Sequence, residues 1–161
     1  MIPEIGLFSL ILALLMALAQ ATLPLVGAAT GWQAGLRVAR PAAVGQFCLT
    51  VLAFGCLAWS FVHNDFSVLY VAGNSHADLP AAYRFAAVWG GHEGSLLLWL
   101  LLLTAWTLAV AVFSRRLPLA FAARVLAVMG WISVGFLLFL LFLSNPCLLY
   151  TSDAADDTPC V

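Results

Sequence analysis

The run Trp89-Gly90-Gly91-His92-Glu93-Gly94-Ser95 places an imidazole, a carboxylate and a hydroxyl close together beside an indole. An imidazole there can ligate a metal or haem iron through a ring nitrogen. The two adjacent glycines permit a tight or left-handed backbone, and they let a planar ligand or a partner backbone approach Trp89 closely. The same residues also describe an ordinary turn into a capped helix. Ser95 or Glu93 can satisfy free N–H groups at a helix start, and a carboxylate there complements the helix dipole. Both readings stay open on residue types alone. His63, His76 and His92 are the three histidines, and their spacing fits no compact metal motif, so no metal site is assigned. A single loop histidine is most often a surface or hydrogen-bonding residue. His92 is the strongest of the three because it adjoins the Trp-Gly-Gly turn. The cysteines are Cys48, Cys56, Cys147 and Cys160, with no Cys-x-x-Cys pair. Helical spacing holds Cys48 and Cys56 about 12 Å apart, too far for a disulfide.

These residues sit in an unusually apolar chain. Of its 161 residues, 65% are hydrophobic and 8% charged. Soluble domains carry about 25% charged residues. So little polar surface excludes a soluble enzyme domain and a disordered tail. Six scattered arginines and a net charge of −1 offer no footprint for nucleic acid. The class is an all-α integral membrane protein. Charge-free stretches at 5–36, 41–64, 94–114 and 125–152 each exceed the length of about 18 residues that marks a membrane span. They predict four transmembrane helices over about 5–29, 41–62, 94–113 and 119–143. Pro3 fits a helix start, Pro24 is positioned to kink or end the first helix, and Asn145-Pro146 is a stop signal after the fourth. The first stretch follows the acidic run Met-Ile-Pro-Glu and is too long for a signal h-region, so it is not read as a cleaved signal peptide.

Orientation follows from the arginines. Arg37 and Arg40 fall between the first and second helices, and Arg115 and Arg116 between the third and fourth, with Arg124 just beyond. The positive-inside rule places those loops in the cytoplasm. Both termini and the 63–93 loop then lie on the outer side. That loop is long for a plain connector. Gly73-Asn74-Ser75 is turn chemistry, and Asp78 with Pro80 can open a short helix. Tyr83, Phe85 and Trp89 suit the headgroup zone, so 78–89 is read as a short helix lying in the outer interface. Packing of the loop over the helix ends is the alternative. Within the spans, Gln20, Thr22, Gln46 and Thr50 are expected to hydrogen-bond between helices. Gly45, Ala53, Gly55, Gly130 and Gly135 are expected to allow close helix contact, and Trp99 and Trp106 to pack on a neighbour. The spans hold no carboxylate chain and no arginine ladder, which weighs against a pump or a voltage sensor.

Several runs, taken in order and spacing, are recognisable. They are Met1-Ile2-Pro3-Glu4-Ile5-Gly6, Asn64-Asp65-Phe66-Ser67-Val68, Tyr70-Val71-Ala72, Leu79-Pro80, and Trp89 through Trp99. Further along come Phe113-Ser114-Arg115, Ala123 through Gly130, and Gly135-Phe136-Leu137-Leu138-Phe139. The set resembles the CcmF/NrfE haem lyase family of cytochrome c-type biogenesis proteins over about residues 1–146. The resemblance implies a multi-pass protein of the bacterial inner membrane with the Trp89–Ser95 motif on the periplasmic side. It implies a parent that takes haem from the periplasmic haem chaperone CcmE and joins it by thioether bonds to apocytochrome c. Thioredoxin-like assembly subunits, membrane lipid and the remaining haem lyase helices are the other implied partners. Haem is the implied cofactor of the full-length parent. The family's Trp-x-Trp-Asp segment and its haem-ligand histidines lie downstream of this chain, and His63, His76 and His92 do not map onto them. No catalytic or haem-ligating residue is therefore carried over. The expectation is a fragment that is inactive and binds no haem tightly by itself, with Trp89–Ser95 as its candidate functional motif.

Residues 147–161, Cys-Leu-Leu-Tyr-Thr-Ser-Asp-Ala-Ala-Asp-Asp-Thr-Pro-Cys-Val, leave the family pattern. They are expected to be a non-native tail of the kind produced by truncation and sequencing-adapter read-through. The alternative functional readings are a small membrane scaffold or interaction subunit of a larger complex, and a transporter fragment.

Overall fold

The computed structural model describes residues 2–63, 68, 71, 83 and 86–144. Four helices carry it: α1 over Ile2–Thr30, α2 over Gln33–Val62, α3 over His92–Phe113 and α4 over Leu119–Phe142. A short 3-10 turn, Ser114–Arg116, joins α3 to α4. All four helices are long and apolar enough to cross a membrane. At about 1.5 Å per residue, each spans the roughly 30 Å hydrocarbon core.

The second helix begins earlier than its charge-free stretch suggests. It starts at Gln33, not near Pro41, so Arg37 and Arg40 lie on its first turns and not in a loop. Ala, Leu and Arg are strong helix formers, and their run outweighs the one hydrogen bond that Pro41 removes at the Arg37 carbonyl. Pro24 likewise sits inside α1, which continues to Thr30. The connection between α1 and α2 is only Gly31 and Trp32. Gly31 has φ +75°, a left-handed backbone that other residues adopt at a cost. Such a short link folds α1 and α2 into an antiparallel hairpin.

Because every face of these helices is apolar, hydrophobicity does not choose which face turns inward. Size does. The buried stripe of α1 is Gly6, Ser9, Leu10, Ala13, Ala17, Gln20, Ala21, Pro24 and Gly27. Small residues let helix backbones approach closely, which is how membrane helices gain packing energy. The tightest contacts join α1 to α2, where a Cβ on Gly27 would lie 2.9 Å from the Leu36 nitrogen and one on Gly35 would lie 2.8 Å from the Leu23 carbonyl oxygen; α4 also approaches α1 closely. A Cβ on Gly130 would lie 3.0 Å from the Ala21 nitrogen and 3.3 Å from the Ala17 carbonyl oxygen. Gly45 meets only the flexible Met16 side chain, and Ala53 is fully buried. Gly55 and Gly135, expected at helix contacts, have nothing within 4 Å of a built Cβ. Trp99 and Trp106 also depart from expectation, being 64% and 69% exposed on the outer surface of α3.

The interior is divided. One apolar cluster runs from Leu10 on α1 through Leu57 and Phe61 on α2, Leu97 and Leu100 on α3, and Leu137 and Leu140 on α4. A second, smaller one groups Leu36, Ala39 and Ala43 with Ala111, Ala123 and Leu126. Between them on α2, α3 and α4 lie buried polar residues: Gln46 and Thr50 on α2, Thr104 and Thr107 on α3, and Ser133 on α4. Of the four polar residues expected to bond between helices, Gln20 does so, its Nε2 donating to the Leu126 carbonyl at 2.7 Å. Thr22 and Thr50 donate within their own helices, to Leu18 and Gln46 carbonyls.

Val68, Val71 and Val88 are buried in the first cluster. These three valines of the 63–93 segment therefore pack into the bundle, while Tyr83, Ala86, Trp89 and Gly90 of the same segment are exposed. Most of the helix expected over 78–89 lies outside the described residues; Tyr83, Ala86 and Ala87 are helical, and Tyr83 is 66% exposed. Asn145-Pro146, His76, the cysteines Cys147 and Cys160 and the whole 147–161 tail also lie outside them. At the opposite end, Arg40 Nη2 donates to the Ser114 carbonyl at 3.1 Å. This bond ties the start of α2 to the end of α3. Arg37, Arg115, Arg116 and Arg124 belong to the same end by the order of the helices.

Gly130→Val should force α1 and α4 apart and cost about 1–3 kcal/mol, the usual penalty of overpacking. Gly55→Val, placed in open space, should cost far less. Thermal unfolding of the two variants in detergent measures the difference, and equal midpoints would contradict the assigned contact.

Candidate functional site

The Trp89–Ser95 motif forms the entry to α3. Val88, Trp89 and Gly90 make a turn in which the Gly90 N–H donates to the Ala87 carbonyl at 3.1 Å. Gly91 follows in an extended conformation, φ −104° and ψ 173°, and acts as the cap residue of α3 without a side-chain cap bond. The first helical bond runs from the Ser95 N–H to the Gly91 carbonyl at 3.1 Å. The Ser95 hydroxyl turns back to donate to the His92 carbonyl at 3.0 Å. It therefore does not cap the free N–H groups as expected. Glu93 sits in the first turn of α3, where its charge favours the positive end of the helix dipole. Among the described residues only Gly31 has a positive φ among the glycines. Gly90 and Gly91 thus do not use a left-handed backbone. What they supply is a low profile: a Cβ on Gly90 would meet the Ala87 carbonyl at 3.4 Å.

Trp89 is 39% exposed and His92 is exposed, whereas Gly94 is buried against the bundle. The His92 ring reaches across to α4 and stands edge-on to Phe139, centroid to centroid 6.1 Å at 73°. There it closes one end of an apolar groove of about 410 Å³ between α3 and α4, with Leu96, Ile132, Gly135, Phe136 and Phe139. Ile132 and Phe136 also wall a second hollow of about 270 Å³ beside Trp99 and Trp106. The two form one trough along the outer face of α3 and α4. Gly135, read from sequence as a helix contact, forms part of its floor. Nothing in the residue pattern separated those two roles, because both want a missing side chain.

His63 is elsewhere. It stacks on Trp59 at 4.1 Å and 21°, and its Nδ1 lies 3.0 Å from the Trp59 carbonyl oxygen, finishing α2. His63 and His92 therefore serve different helix ends. Among the described residues no group of three or more His, Cys, Asp or Glu converges on one point. For haem, whose iron takes axial side-chain ligands, the trough offers one imidazole and an apolar wall, and its lining residues add no second ligand. These residues do not by themselves fit an enclosed haem site. The arrangement can present an exposed imidazole and indole above an apolar surface at the membrane boundary.

No protein-family model matches the chain. Individual relatives do. Over 146 residues the chain is 62% identical to the cytochrome c-type biogenesis protein CcmF of Pseudomonas aeruginosa and 55% identical to that of Escherichia coli. It is 41% identical over 146 residues to the protein NrfE of Haemophilus influenzae. Each alignment takes in 91% of this chain, but the chain spans only 22% to 23% of those curated relatives. Among solved structures, the cytochrome c haem lyase CcmF superposes with a TM-score of 0.87 at 31% identity, over 94% of this chain and 26% of that one. The four membrane helices, their order and the Trp89–Ser95 entry to α3 thus belong to a fragment of the CcmF/NrfE family of cytochrome c-type biogenesis proteins.

Proposed function

We propose that this chain is the N-terminal membrane region, residues 1–146, of a haem lyase that transfers haem from the chaperone CcmE to apocytochrome c. The observation that carries the reading is the superposition on a cytochrome c haem lyase, together with identities of 41% to 62% to biogenesis proteins. In that parent, α1 to α4 form a packed platform against which the remaining helices assemble. Thioredoxin-like assembly subunits act alongside it. Haem, when bound in the parent, supplies the iron porphyrin that is delivered. The ligands that hold it belong to other parts of the parent. This chain contributes the Trp89–Ser95 turn, whose two glycines keep the surface low beside Trp89 and His92.

The five arginines at one end of the bundle support a cytoplasmic placement of that end. The bundle then sits in the inner membrane with the Trp89–Ser95 turn at the periplasmic face. Alkaline phosphatase fused after Arg116 should be inactive, and fused within the 63–93 segment it should be active. The reverse pattern would contradict the orientation.

In the parent gene, Gly91→Val should raise a side chain above the turn and reduce haem attachment to apocytochrome c about tenfold or more, as misplacement at a reacting surface does. Membrane levels of the protein should be unchanged. Haem staining of cytochrome c in a strain lacking its own haem lyase is the measurement, and wild-type staining would contradict a role for the turn. The isolated 161-residue chain, titrated with haem in detergent, should show no stoichiometric Soret band. A tight one-to-one complex would place the ligands in this chain and overturn the assignment.

A further inference from the structure

The polar residues between the two apolar clusters leave an unbalanced set of hydrogen-bonding groups. Gln46 is fully buried near the middle of α2, and neither its Nε2 nor its Oε1 bonds another protein atom. Gln20, also fully buried, uses Nε2 on the Leu126 carbonyl, while its Oε1 is unpartnered. α1 and α2 meet at this level. Met16, one turn before Gln20, packs on Gly45, the residue before Gln46.

The hydroxyls of the same layer have no proton to give to the unpartnered amide oxygens. Thr50, Thr104, Thr107 and Ser133 each donate their proton to a carbonyl of their own helix, at 2.8–3.1 Å. They remain acceptors only. Pro24 adds to the imbalance, because it has no N–H for the Gln20 main-chain carbonyl four residues earlier. No hydroxyl proton is left for the two amide oxygens, and the Gln46 Nε2 is itself unpartnered. Within a bilayer no outside water relieves such groups. Nor can a lipid or another helix reach them, because both glutamines have zero exposure within these four helices.

We propose that Gln46 and Gln20 form an internal hydration site, holding at least one ordered water molecule inside the bundle at mid-membrane depth. Water is the ligand whose chemistry fits. It brings two donors to the amide oxygens and accepts from the Gln46 amide, and buried waters typically make about three such bonds. The competing arrangement is a reciprocal amide pair, Gln46 to Gln20, with no water. The site is independent of any role in haem attachment.

The test is solid-state NMR of the full chain in lipid bilayers with nitrogen-15 glutamine. The chain has three glutamines, Gln20, Gln33 and Gln46, and exposed Gln33 serves as the hydrated reference. The site predicts transfer of magnetisation from water to the Gln46 side-chain amide, and loss of that signal in Gln46→Met and Gln46→Leu. Water transfer to Gln33 with none to Gln46 would overturn the proposal. So would a direct Gln46–Gln20 amide coupling without a water contact. Should Gln46→Met perturb folding, the same spectrum of the unmodified chain decides, since Gln20→Met then assigns the remaining buried amide. Ordered density bridging Gln46 and Gln20 in a structure of the parent would be the matching observation.

Discussion

The helices meet where side chains are missing: Gly27 and Gly35 close α1 on α2, the Gly130 backbone lies against Ala17 and Ala21, and the rest of the bundle depends on these close approaches. In water a helix turns its apolar face inward. These helices have no other kind of face, and lipid solvates leucine as well as a protein interior does. The energy that selects one packing must then come from close contact between surfaces that fit. Gly27 and Gly35 give the shortest approaches, between α1 and α2, and Gly130 against Ala17 and Ala21 gives another, between α4 and α1. From these approaches follow the position of Gln20 opposite the Leu126 carbonyl and the alignment of α3 along the remaining side. The two-residue link at Gly31 and the Arg40–Ser114 bond fix the arginine-rich end.

The polar layer is the counterpart of that packing. A buried amide in a membrane is costly unless bonded. Where it is bonded across helices, it sets their depth relative to one another. Gln20 does this between α1 and α4. Gln46 spends neither its amide N–H groups nor its oxygen on a neighbouring helix. An apolar interior split into two clusters by such a layer resists sliding along the helix axes, since any shift would bury glutamine against leucine.

Much of this was legible in the residues. Charge-free runs located all four helices, and the motif at Trp89–Ser95 located the entry to α3. The start of α2 was not legible, because Arg37 and Arg40 look like loop residues to a charge count, whereas a helix end at the headgroup level solvates arginine readily. Gly130 and Gly135 are five residues apart on one helix, yet one is a tight helix contact and the other open groove. Only the partner helix distinguishes them. Trp99 and Trp106 illustrate the same limit: periodicity assigns them a common face of α3 but not what lies beyond it. The turn itself was read in outline, while the direction of the Ser95 hydroxyl depended on local geometry that residue types do not encode.

The central claim is that these helices are the platform of a membrane haem lyase. It is tested most directly by a chimera in which residues 1–144 replace the matching segment of the Pseudomonas aeruginosa relative, expressed in a strain lacking its own haem lyase. The account predicts haem-stained cytochrome c at a level comparable to the unmodified relative. A chimera that inserts stably in the membrane but leaves the apocytochrome without haem would contradict it.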